Sequence, residues 1–143
     1  MAGRTEVRFN FYNTTTTTLG VGVMPFNTIS FNVGGGDFIS NKYTIPLDGT
    51  YLVGASYNKA GASQQGNCRL YLERSGLTTG PISLSRDHSQ TFLRTTINQN
   101  IIYNFIEGDI IYMYSFFGSP KMNNIAPTGD DIYNSFWGIR LDY

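Results

Sequence analysis

The chain has 143 residues, with ten basic and ten acidic side chains and a formal net charge of +0. That length is one ordinary domain. The balanced charge excludes the basic field that non-specific nucleic-acid binding needs, and no polybasic run addresses an anionic membrane surface. No apolar run approaches the length of a membrane span, so no insertion is expected. Aromatics make up 15% of the chain, with 10 Tyr and 10 Phe against 1 Trp, beside 16 Gly. Thr and Asn are abundant and good helix formers scarce, so composition favours strands joined by tight turns. A single cysteine, Cys68, excludes an intrachain disulfide and reads as a buried thiol. The start at Met1–Glu6 lacks the charged-then-apolar pattern of a secretory signal; with the single cysteine it points to synthesis in a reducing cytosol.

In chain order, Val7, Phe9 and Phe11 alternate with Arg8 and Asn10 as a first strand. Thr14 to Thr18 is a polar run, either an exposed strand or a loop. A second apolar pattern lies within Val23 to Val33. Gly34-Gly35-Gly36 then reads as a tight turn, because no helix start follows to make it a phosphate cradle. Tyr43 and Ile45 precede Pro46, Asp48-Gly49 marks a turn, and Tyr51, Val53, Ala55 and Tyr57 alternate. Lys59 to Asn67 is a loop. Arg69 to Glu73 forms a strand around Leu70 and Leu72, and Ile82 and Leu84 mark another. Phe92 to Ile97 and Ile101 to Ile106 read as separate strands. Glu107-Gly108-Asp109 is a turn, Ile110 to Phe117 a long apolar strand, and Gly118 to Tyr133 a long loop. Ser135 to Tyr143 closes the chain. Eight to ten short strands with no helical period predict one all-β sandwich or jelly roll over residues 1–143, with a short N-terminal arm.

Three strands are apolar on both faces. Ile111 and Met113 are expected inward, leaving Ile110, Tyr112 and Tyr114 outward. Tyr51, Val53 and Ala55 share one face and Leu52 and Gly54 the other. Trp137, Ile139 and Leu141 oppose Phe136, Gly138 and Arg140. If these strands share a sheet, its outer face is an apolar surface of the kind monomers seldom expose, and a second copy is expected to cover it.

Tyr43-x5-Gly49-x-Tyr51-x-Val53, with Ile45-Pro46 before it, resembles the signature of C1q-like domains. Asn32-Val33-Gly34-Gly35 resembles the Asn-x-Gly turn that precedes that signature. Glu107-Gly108-Asp109-Ile110-Ile111-Tyr112-Met113 is similar to the family's Gly-Asp-x-Val-x-Leu strand, and Phe136-x-Gly138-Ile139-Arg140-Leu141 to its closing Phe-x-Gly-Phe-Leu-Leu. The matches fall in the family's order and span roughly Phe26 to Tyr143. The resemblance to C1q/TNF-like domains implies a ten-stranded jelly roll in a homotrimer. Carried over, it places Leu52, Gly54, Tyr112, Tyr114, Phe136 and Arg140 at the trimer interface near the three-fold axis. Arg140 departs from the family pattern, and three copies near an axis would repel unless paired; Asp109 or Asp142 of a neighbour is the available partner type. Within the 143 residues there is no collagen-like Gly-x-y stretch and no apolar run of membrane-anchor length, so a collagen-borne or membrane-tethered role is not expected.

Catalytic residue types are few. His88, the only histidine, adjoins Asp87 and Ser89, but triads assemble in space rather than along three consecutive residues. One His and one Cys do not make a transition-metal site, and Asp130-Asp131 reads as solvated rather than as a calcium site. Neither a metal nor any other cofactor is expected, and the chain reads as non-enzymatic. The first reading is a trimeric virion structural protein, a capsid decoration, fibre head or spike. It would be made in the host cytoplasm and displayed on the virion surface, with other capsid or fibre proteins and a host-surface glycan or receptor as partners. The alternative is a secreted, extracellular recognition module for glycans or proteins. An enzyme with an unrecognised site is third.

Overall fold

The computed structural model describes residues 5–13, 17–18, 21–60, 67–87, 95–116, 121–122 and 134–142. Among them the chain forms thirteen strands and no helix. They are β1 (Arg8–Asn13), β2 (Thr17–Thr18), β3 (Gly22–Val23), β4 (Thr28–Val33), β5 (Asp37–Ile39), β6 (Lys42–Thr44) and β7 (Gly49–Ala60). Then come β8 (Cys68–Glu73), β9 (Ile82–Arg86), β10 (Thr95–Phe105), β11 (Ile110–Ser115), β12 (Lys121–Met122) and β13 (Asn134–Arg140).

The described strands make two antiparallel sheets, as the expected jelly roll requires. In the seven-stranded sheet, β7 is flanked by β10 on one edge and by β13 on the other, followed by β1 and β4; β12 and β2 extend the far end of β7. The six-stranded sheet runs β5-β6-β11-β8-β9, with β3 also on β11. Between them lies one core. Phe9, Phe11, Tyr51, Val53, Tyr57 and Phe136 from the first sheet meet Tyr43, Leu70, Leu72, Ile111 and Met113 from the second, all buried. Each such side chain contributes about 1.5–3 kcal/mol by leaving water. Stacked rings join the layers, Phe9 on Tyr43 at 3.8 Å and Phe11 on Phe38 at 3.7 Å between centroids. Cys68 is buried, as expected.

Several boundaries differ from the sequence reading. The two strands expected on either side of Asn98–Asn100 are one strand, β10, paired with β7 from Thr95↔Lys59 to Phe105↔Gly49. Asn98 and Asn100 point to solvent while Ile97 and Gln99 are buried, so the polar stretch does not interrupt the ladder. Gln99 is buried at no loss of hydrogen bonding. Its Nε2 donates to Tyr57 Oη (2.5 Å) and to the Cys68 carbonyl (3.0 Å), and Ser85 Oγ donates to its Oε1 (2.6 Å). Tyr57 in turn donates to Asp87. Burial pushes the Tyr57 phenol far above its ordinary range, so it stays a neutral donor.

The expected turns form. Gly34 and Gly35 both have positive φ (100° and 89°) between β4 and β5. Gly108 (φ 90°) reverses the chain before β11. The next residue, Asp109, is buried and pins this turn: its carboxylate accepts the Ile106 N–H (2.9 Å) and Arg74 Nε and Nη2 (2.9 and 2.7 Å). The N-terminal residues 1–4, the Thr14–Thr16 run, loop residues 61–66, His88 and Ser89, and Asp130-Asp131 lie outside the described residues.

Candidate functional site

The outward face of the seven-stranded sheet can be written as rows of residues in register. One row runs Ile102–Leu52–Ile139–Arg8–Val33 across β10, β7, β13, β1 and β4. The next runs Asn100–Gly54–Trp137–Asn10–Phe31, and the next Asn98–Ser56–Ser135–Tyr12–Thr28. Ile102, Leu52 and Ile139 therefore stand side by side across β10, β7 and β13, flanked on β10 by Asn98, Asn100 and Asn104, and Ile102 is 62% exposed. Trp137 extends this apolar row. A Cβ placed on Gly54 would lie 2.5 Å from Trp137 Cζ2, so the missing side chain is what lets the indole cross β7. At the far side Arg8 covers the Phe31 ring, its guanidinium 4.8 Å from the centroid.

The six residues expected to line one interface do not share a face. Leu52 and Gly54 lie on the outward face of the seven-stranded sheet, within the apolar rows. β11 belongs to the other sheet, so Tyr112 and Tyr114 point away on the opposite side of the molecule. Phe136 is corrected most sharply. It is 0% exposed and packs in the core against Phe9 and Phe26, with ring centroids 5.5 and 5.9 Å away. The parity of β13 is the reverse of that expected. Phe136 and Gly138 point inward because Gly138 leaves room for the Phe9 ring, which a Cβ there would meet at 2.5 Å. Trp137 and Ile139 point outward.

Arg140 follows the inward parity and closes the rim of the sandwich. It donates to the Asp48 carbonyl (3.0 Å) and the Thr5 carbonyl (3.4 Å), and its Nε lies 3.5 Å from Asp142 Oδ1 of the same chain. Asp142 Oδ1 also accepts the Thr50 N–H (3.0 Å). The expected neutralisation by a neighbour is not needed, since Asp142 acts within the chain and Asp109 is held by Arg74. Beside this rim, burial pushes the Tyr51 phenol up to about 12; Arg140 opposes the rise and Asp142 adds to it.

On the six-stranded sheet, Tyr112 and Tyr114 belong to a run of rings with Tyr71 and Phe116. Tyr71 lies 5.8, 5.6 and 6.2 Å from Tyr112, Tyr114 and Phe116, and Tyr114 lies 5.0 Å from Phe116. Tyr112 is 3% exposed. Lys42 Nζ sits 4.4 Å from its ring centroid and its hydroxyl donates to Glu73 (2.7 Å), so its surface is already covered by its own chain. Burial and that hydrogen bond hold the phenol above its ordinary range.

Ile102, Trp137 and Ile139 were not read from the sequence as interface residues. Two signals were available: Ile102 interrupts Asn98-x-Asn100-x-Ile102-x-Asn104, and Gly54 inside a strand marks a large neighbour crossing it.

No protein-family model matches the chain, and no curated protein sequence does. Solved structures do. The chain is similar to the Eiger TNF from S. frugiperda, with a TM-score of 0.74 at 10% identity, covering 96% of this chain and 94% of that one. Murine APRIL gives a TM-score of 0.72 at 13% identity over 95% of this chain and 99% of its own. The globular domain of zebrafish complement 1qA gives 0.66 at 18% identity over 96% and 98%. The shared property is the fold, a C1q/TNF-like jelly roll spanning nearly the whole chain.

Proposed function

We propose that this chain is a non-enzymatic binding module that works as a homotrimer, its subunits packed through the outward face of the seven-stranded sheet. The observation that carries this reading is the row Ile102–Leu52–Ile139 with Trp137 laid across Gly54. It is a contiguous apolar strip on the outside of a sheet, which a monomer has no reason to keep in water. A second copy is the economical cover, because closed symmetric association buries the same strip on every subunit. The likeness in fold to TNF and C1q globular domains supports the same reading. Native mass spectrometry tests it: a species of three times the 16.0 kDa chain mass is expected, and a species of 16.0 kDa alone at micromolar concentration sinks the proposal.

The setting we propose is the surface of a virion, where the trimer decorates a capsid or heads a fibre or spike after synthesis in the host cytoplasm. Its support is compositional: one cysteine, buried, and a fold that holds together through an aromatic core without a disulfide. A secreted recognition module is the alternative. Proteomics of purified particles separates the two; absence of the chain from particles, with recovery from culture medium, favours the alternative.

A further inference from the structure

The ring run on the six-stranded sheet lies on the opposite side of the molecule from the proposed subunit contact. Its two ends differ in charge. At the β6 end, Lys42 and Glu73 neutralise each other (3.4 Å) over Tyr112. At the other end, Arg69 stacks on Phe116, its guanidinium 4.7 Å from the ring centroid. Asn67 fixes this arrangement, since its Oδ1 accepts from Arg69 Nε (2.8 Å) and its carbonyl accepts the Phe116 N–H (2.9 Å). Among the described residues no carboxylate pairs with Arg69, whose guanidinium is held by Asn67 and the Phe116 ring alone. The uncovered part of the platform is Tyr71, Tyr114 and Phe116, the last 38% exposed, with the exposed Ser83 hydroxyl opposite Tyr71.

We infer that this face is a binding site for a carboxylate-bearing sugar, whose ring lies on Tyr114 and Tyr71 while its carboxylate meets the Arg69 guanidinium. The π faces of the tyrosines carry the negative side of their quadrupole and accept the weakly positive C–H face of a pyranose. The guanidinium fork matches a carboxylate in geometry and charge. A peptide would draw affinity from adding a strand, but β8 and β11 are both paired on both edges, so this face offers side chains and no free backbone. Recognition here rests on ring faces, hydroxyls and one cationic end, which is the chemistry an acidic saccharide presents. This inference stands apart from the trimer reading, because the two faces belong to different sheets.

Saturation-transfer NMR on the full chain tests it, with 3′-sialyllactose and a glucuronic-acid disaccharide as probes, lactose as the neutral control and a tetraglutamate peptide as the acidic control. The expected result is transfer to the ring protons of at least one acidic sugar and little to lactose. Arg69→Gln and Tyr114→Ala should each weaken binding about tenfold or more, with Arg69→Lys retaining part of it. Native mass of each variant should match the parent, which separates this test from that of assembly. The inference is overturned by no transfer to either acidic sugar, by equal binding of lactose, by binding that survives both Arg69→Gln and Tyr114→Ala, or by tighter binding of the peptide.

Discussion

Replacing Ile102 is the sharpest perturbation of the proposed assembly, because the side chain supports little else. It is 62% exposed in the single subunit. Fully burying an isoleucine contributes about 1.5–3 kcal/mol, so covering the exposed part contributes about 1–2 kcal/mol per subunit. Three copies then supply about 3–6 kcal/mol of trimer stability, or about a hundred- to ten-thousandfold in the association constant. The midpoint concentration of a monomer–trimer equilibrium varies as the inverse square root of that constant. Ile102→Ala should therefore raise the midpoint about ten- to a hundredfold. Ile102→Asp should go further, since each carboxylate taken into the contact costs several kcal/mol in addition. Sedimentation velocity across a dilution series reads both, with thermal melting of the variants to show that the subunit still folds. Tyr114→Ser, on the other sheet, should leave the midpoint unchanged. An Ile102→Asp protein that sediments as the parent does, or a Tyr114→Ser protein that dissociates, refutes the assignment of the contact to the seven-stranded sheet.

Three further outcomes concern the fold that holds this face. Gly138→Val should lower stability by about 1–3 kcal/mol or more, because the added carbons enter the space of the Phe9 ring; the urea midpoint by circular dichroism reads it, and an unchanged midpoint refutes the inward parity of β13. Arg74→Met strips the buried Asp109 carboxylate of its two guanidinium donors and should cost about 2–4 kcal/mol, softened because Arg74 is a quarter exposed, with Arg74→Lys intermediate. The same denaturation measurement decides it, and a loss within experimental error would show that the ion pair does not anchor the turn. Tyr51 ionises at about 12 when folded against about 10 when unfolded, so the unfolded state releases its proton first. Its contribution is constant below about pH 10 and lost as the pH rises from there towards about 12. Urea midpoints across this range, with phenolate absorbance, should fall together; a midpoint flat to about pH 11 would argue against its burial.

Most of the core was legible because each strand states its inward face by alternation. Phe9 and Phe11, Tyr51 to Tyr57, Leu70 and Leu72, and Ile111 and Met113 all face inward as their spacing implies. The candidate site was less legible for one physical reason. β13 carries large apolar groups on both sides, so periodicity leaves its parity undetermined. That parity is fixed by long-range fit, Trp137 opposite Gly54 on one side and Gly138 beneath Phe9 on the other. Membership of a sheet is likewise non-local. Nothing within Ile110–Ser115 reveals that β11 pairs with β8 and β6 rather than with β7, and this pairing sends Tyr112 and Tyr114 to the far side. Asn98 and Asn100 misled in the opposite direction, since polar residues on the wet side of a continuous strand look locally like a break.

The indole laid across Gly54 has one more consequence. Trp137 is the sole tryptophan of the chain, and it sits half-covered at the proposed seam. Its emission colour depends on how much water reaches the ring, so the molecule carries an intrinsic optical gauge of its own association. Dilution that separates the subunits should shift that emission to the red with no dye and no engineered label. The same residue that closes the seam would then report, in real time, when the seam opens.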